Sequence, residues 1–174
     1  MTCQLNQMMM PPKLPPPSED YALRVPWVAE ASDLVSAGPD HLGREAYLTP
    51  SAAHAWAAMR EAAHADGIEL ILISAFRSIA RQAELLAAKL AKGMTLEQAL
   101  EYSAYPGHSE HHSGNAIDIG THSARHLEEE FETTPAFAWL TANARRFDFS
   151  LSYPRGNPQG IAYEPWHWCH HPRA

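Results

Sequence analysis

Three short segments carry residue types that can do chemistry together. In the first, His111 and Asp118 are separated by six residues, with Gly114 between them. A histidine nitrogen and a carboxylate oxygen are both good ligands for a divalent cation such as zinc. If Asp118 lies on a strand and His111 on the loop leading into it, the two side chains converge, and Gly114 lets that loop bend. The second segment is Glu164-Pro165-Trp166-His167. A glutamate beside a zinc-activated water is the usual general base of a metallopeptidase. Three protein ligands also leave one coordination position open, as catalytic zinc sites require. Residues three apart on a regular strand face opposite ways, so Pro165 or a turn must bring Glu164 and His167 into one cavity. The third segment, Ser74-Ala75-Phe76-Arg77-Ser78, follows a buried apolar run. Arg77 at a strand end can polarise a carbonyl and stabilise an oxyanion, or clamp a terminal carboxylate with two parallel hydrogen bonds. Each segment alone has a plainer reading: a chance pair, two core tryptophans with a histidine between them, or a surface ion pair.

The elements that must position these residues are partly visible. Ser51 to Gly67 reads as a helix capped by Ser51, with Ala52, Trp56, Met59 and Ala63 on its buried stripe. The branched run Ile68 to Ile73 predicts a buried strand. Arg77 to Lys92 predicts a helix burying Ala80, Ala83, Leu86 and Leu90, and Thr95 starts another that ends before Pro106-Gly107. Asn115 to Gly120 predicts a strand with Asp118 on it. His126 to Phe131 reads as a solvated helix start, Pro135 to Arg146 as a helix, and Phe147 to Tyr153 and Tyr163 to Trp168 as strands. Residues 21 to 50 give no clear pattern beyond a strand-like Tyr47-Leu48-Thr49. Without a regular strand-helix-strand rhythm, the expected class is α+β, a small antiparallel sheet flanked by helices.

Composition narrows the function. The 174 residues suit one domain, residues 21 to 174, preceded by a proline-rich flexible arm over residues 1 to 20 with Pro11, Pro12, Pro15, Pro16 and Pro17. With 13 basic and 20 acidic residues, the net charge of -7 argues against nucleic acid as a partner. No basic amphipathic stretch suggests a membrane surface, and no apolar run reaches the roughly 18 residues of a transmembrane helix. Eleven histidines invite a search for a metal site, although most read as surface residues. Cys3 and Cys169 are too few for a cysteine zinc cluster and are expected as free thiols; a bond between them is not deducible from sequence. Met1 to Met10 lacks the basic start and long apolar centre of a secretion signal, so the sequence leaves export or retention inside the cell open.

Taken in order, SAFRSIARQ (74–82), PGHSEHHSGNAID (106–118) and YEPWHW (163–168) resemble the D-alanyl-D-alanine carboxypeptidases of the vancomycin-resistance type. That zinc peptidase group also contains L,D-carboxypeptidases, D-Ala-D-Ala dipeptidases and some phage endolysins. The resemblance spans about Ser51 to Trp168. It implies one zinc per chain held by His111, Asp118 and His167, Glu164 as general base, and Arg77 as partner of the carbonyl and oxyanion. It also implies Gln82 and Ser109 as substrate contacts, a peptidoglycan stem or other D-Ala-containing peptide as substrate, and a bacterial cell-envelope or periplasmic setting. A monomer is expected. His112, Ser113 and Asn115 stand where related sequences often carry Gln, Thr and Leu, and His112 is read as lying behind the ligand or at the surface. The rival readings are cleavage of an L,D or internal bond by the same chemistry, and a zinc-stabilised wall-binding module without catalysis.

Overall fold

The computed structural model describes residues 13–172, so Cys3 and the first twelve residues of the arm lie outside the described residues. The fold is α+β. Helix α1 (Glu19–Arg24) leads to a hairpin of β1 (Val35–Pro39) and β2 (Glu45–Leu48), then to helix α2 (Pro50–Ala65). Strand β3 (Ile71–Ser74) is followed by α3 (Ile79–Ala91) and α4 (Leu96–Glu101). Strand β4 (Ala116–Gly120), helix α5 (Pro135–Asn143), β5 (Phe149–Leu151) and β6 (His167–His170) complete the chain. The main sheet has the order β3-β4-β6-β5 and is antiparallel throughout.

Alternation along β4 divides the sheet into two faces, because successive side chains of a strand point opposite ways. Ile117 and Ile119 join Leu72, Phe149 and Trp168 beneath Trp56 and Met59 of α2 and Leu140 of α5. Burying each such side chain contributes roughly 1.5–3 kcal/mol, and this side is the main core. Asp118, between the two isoleucines, faces the other way. A smaller cluster, with Tyr21, Leu86, Leu100, Tyr153 and Ile161, ties α1, α3 and α4 together; Leu14 of the arm packs against it.

Several local expectations are corrected. Helix α2 is capped by the Thr49 hydroxyl, with Pro50 at its first position, instead of by Ser51; proline lacks the N–H that the first turn leaves unpaired. Helix α3 starts one residue after the Ser78 cap, so Arg77 precedes it, and Ala80 is exposed while Gln82 takes a buried place. The helix from Thr95 carries the expected cap, reinforced by Gln98. In place of the helix start at His126–Phe131 there is a 3-10 turn at Glu129–Thr133. The strand within residues 147 to 153 is only the three residues of β5. Strand β1 has no periodic signal because its residues are largely exposed. Residues 163 to 166 are not strand; β6 begins at His167.

Candidate metal centre

A row across three strands places the first two groups. In the antiparallel register, Asp118 is opposite His167 on one side and opposite Ser74 on the other. Directly opposed residues share a sheet face. The register of β3 slips between Leu72 and Ser74, and such a bulge changes the face on which later residues lie. Leu72 therefore stays in the core while Ser74 joins Asp118.

His111 arrives by a different route. Ser109 opens a 3-10 turn over Glu110–Ser113, and the turn ends at Gly114 with φ +68°. A Cβ there would meet the Leu34 methyl at 2.9 Å and strain the left-handed backbone. The turn delivers His111 Nε2 to within 3.2 Å of Asp118 Oδ2, while His167 Nδ1 is 3.0 Å from Asp118 Oδ1. The two imidazoles meet edge to face, with ring centroids 4.9 Å apart. One ligand atom from each of His111, Asp118 and His167 lies within 4.8 Å of the others, and all three residues are buried.

The donor set fits a cation on internal grounds. His111 Nδ1 lies 2.7 Å from the Ala75 carbonyl, which can only accept, so that nitrogen carries the proton. Burial holds the His111 pKa down, outweighing the pull of Asp118. A neutral His111 then turns its Nε2 lone pair toward a carboxylate oxygen. Two electron-rich atoms so opposed are the pair that a divalent cation joins. Burial would also raise Asp118, yet its place between the two imidazoles holds it far below the carboxylate range. For His167, burial works against the charged form, but hydrogen bonds to Asp118 and Glu110 prevail and push it up to about 10. Binding a metal at Nδ1 displaces that proton, so the site exchanges protons for a cation.

Glu164 reaches the same point through a turn. The His167 N–H donates to the Glu164 carbonyl at 3.1 Å, closing a four-residue turn around Pro165 and Trp166. This solves the opposite-face problem that a continuous strand would pose. Glu164 Oε2 lies 3.8 Å from His167 Nδ1. Burial foremost, with the Asp118 charge, pushes its carboxyl up to about 7 against the pull of His167, Arg77 and Lys89. That value suits a group that must accept a proton near neutrality.

Arg77 is held from two sides. Its Nη2 donates to Ser74 Oγ at 3.1 Å and lies 3.9 Å from Asp118 Oδ2, and its Nη1 donates to Gln82 Oε1 at 2.8 Å. Gln82 is only 1% exposed and donates through Nε2 to the Ala104 carbonyl at 2.6 Å. Its polar atoms thus face Arg77 and the backbone. Ser109 is buried and lines the groove. His112 is fully buried: Nδ1–H donates to the Arg77 carbonyl at 2.6 Å and Nε2 accepts from the Gly107 N–H at 3.1 Å. It braces the Arg77 backbone, and both its ring nitrogens are engaged with the main chain.

Sequence reasoning overlooked Glu110. Its Oε2 accepts from His167 Nε2–H at 3.0 Å and from Ser152 Oγ at 2.6 Å. Burial opposes its ionisation, but His167 and Ser152 bring its carboxyl down to about 2. The sole sequence signal is a carboxylate directly before a candidate ligand. The three ligand candidates, Glu164 and Arg77 all open onto one groove of about 580 Å³, which Lys89 and Tyr153 also line.

Residues 45–173 match the family described as VanY: D-alanyl-D-alanine carboxypeptidase. The YodJ protein of Bacillus subtilis (strain 168), a carboxypeptidase by its name, is 36% identical over 159 residues, covering 86% of this chain and 56% of that protein. The chain spans about half the length of the curated relatives it matches. Among solved structures, the LdcB LD-carboxypeptidase superposes with a TM-score of 0.73 at 33% identity, over 81% of this chain and 69% of that one. A variant of the vancomycin-resistance D,D-pentapeptidase VanY in complex with Zn(II) gives 0.61 at 28% identity, over 83% and 79%. With the family match covering most of the residues and all three motifs inside it, this chain belongs to the VanY D-alanyl-D-alanine carboxypeptidase family.

Proposed function

We propose that this protein is a zinc-dependent carboxypeptidase that removes the terminal D-alanine from peptidoglycan stem peptides, acting as a monomer in the bacterial cell envelope. The observation that carries this reading is the meeting of His111 Nε2, Asp118 and His167 Nδ1 around one point, with Glu164 3.8 Å from His167 Nδ1. The three residues are its ligands, one zinc per chain. Zinc held there supplies Lewis-acid activation of water and of the scissile carbonyl.

The side chains of the chain divide the remaining work. Glu164 takes the proton of the attacking water and passes it to the departing amine. Arg77, fixed by Ser74 and Gln82, directs its guanidinium at the carbonyl oxygen as negative charge develops there. Gln82 acts through Arg77, and Ser109 lies at the groove wall to meet the substrate backbone. No covalent enzyme intermediate is required.

The zinc-loaded protein incubated with a pentapeptide stem ending in D-Ala-D-Ala should release one D-alanine, read as a mass loss. The likeness to an LD-carboxypeptidase at 33% identity favours a second reading, cleavage of the L,D bond of the tetrapeptide stem. Release of D-alanine from the tetrapeptide alone would replace the first reading with the second. Wall binding with no product from either stem would sink both and favour a non-catalytic module.

A further inference from the structure

The two histidine ligand candidates are backed by different chemistry. Behind His111 stands a main-chain carbonyl, Ala75, at 2.7 Å from Nδ1. Behind His167 stands a side-chain carboxylate, Glu110, at 3.0 Å from Nε2. A buried imidazole that binds a cation through one nitrogen needs an acceptor for the N–H on the other, and that acceptor sets tautomer and ring orientation. A charged acceptor also makes the imidazole a stronger donor than a neutral carbonyl does.

From this asymmetry we infer that Glu110 is the positioning residue of the metal site, orienting His167 so that Nδ1 faces the cation. Three features fix Glu110 for the task. Ser152 donates to the same oxygen at 2.6 Å, Ser113 Oγ donates to its backbone carbonyl at 2.6 Å, and the 3-10 turn that carries it also carries His111. One turn thus supplies a ligand to the cation directly and a carboxylate to the rear of the opposite ligand. Tyr153 lies against the face of the His167 ring, with centroids 4.8 Å apart, and limits its rotation. Among the described residues, Glu110 is the acceptor placed at His167 Nε2, while Tyr153 meets the ring face and Ser152 donates to the carboxylate.

The inference rests on His167 being a ligand, and the test separates the two. Zinc affinity is measured by competition with a chelator for the intact chain and for Glu110→Ala, Glu110→Gln and Ser152→Ala. In parallel, 15N spectra of the zinc-loaded forms follow the His167 ring nitrogens. Glu110→Ala should weaken zinc by about 10- to 100-fold and move the Nε2–H resonance toward that of an unbonded imidazole. Glu110→Gln keeps an acceptor without the charge; it should restore that resonance and most of the affinity. Ser152→Ala should fall between Gln and the intact chain. Affinity of Glu110→Ala within about threefold of the intact chain would overturn the inference. So would equal losses in the Ala and Gln variants that track a lowered unfolding temperature of the metal-free protein. Failure of the intact chain to bind zinc would instead remove the ligand reading itself.

Discussion

Ile117 and Asp118 are neighbours in β4 and both are buried, yet they belong to opposite physical regimes. Ile117 faces the core with Leu72, Phe149 and Trp168, where contacts are many, weak and non-directional. Asp118 faces His111, His167 and Arg77, where contacts are few, directional and charged. The same split recurs in β6, with His167 on the polar side and Trp168 in the core. A core of this kind tolerates substitutions that preserve volume. A cluster of buried charges tolerates none that removes a partner, because the remaining group stays buried and uncompensated. The apolar face should therefore act on stability alone, and the polar face on metal binding and turnover as well as stability.

The widest separation between the two faces is expected for Asp118→Ala. It removes the one carboxylate that both imidazoles address, so stoichiometric zinc binding by calorimetry should be lost and turnover should fall to background. The unpartnered imidazoles should also lower the unfolding temperature, so zinc is titrated below that temperature, where circular dichroism shows the variant folded; normal zinc binding there would refute the role of Asp118.

Next comes Glu164→Gln. Zinc should stay bound while kcat falls by about 10²–10⁴-fold, the usual worth of a general base. The pH profile sharpens this. Burial raises the Glu164 carboxyl to about 7, so the proton-accepting form is the one present at higher pH. The rate should decline as pH falls through a limb at or below that value, since a bound cation favours the carboxylate. The residual rate of Glu164→Gln should lack that limb.

Arg77→Lys should follow, with kcat lower by about 10²–10³-fold and zinc affinity unchanged. A lysine keeps the charge but not the fork that Ser74 and Gln82 hold in place. Steady-state kinetics on the pentapeptide stem would check it, and full activity would remove Arg77 from the chemistry.

The smallest effect belongs to the other face. Ile117→Val should cost about 0.5–1.5 kcal/mol of stability, read from denaturant unfolding. Zinc affinity and kcat should match the unsubstituted protein, despite the change lying one residue from a ligand candidate.

Legibility in the sequence follows the same division. The alternation of Ala116-Ile117-Asp118-Ile119 marks a strand with a lone charge between core residues, and local pattern suffices to read it. The capping box of Thr95 and Gln98 and the helix over residues 50 to 65 are likewise local, although the cap fell two residues before the one expected. Residues 21 to 50 were opaque because the β1–β2 hairpin is largely exposed and leaves no apolar period.

What the sequence determined by itself was the inventory: which imidazoles, carboxylates and guanidinium stand in the three segments, and the strand and helix types around them. Their meeting was decided by tertiary structure. The slip in β3 brings Ser74 opposite Asp118, the turn at Pro165 brings Glu164 beside His167, and the 3-10 turn places Glu110 behind a ring 57 residues away. Local sequence governs backbone propensity and side-chain alternation over a few residues. Register and turn closure depend on how distant strands pair, and that is fixed by the packing of the whole core.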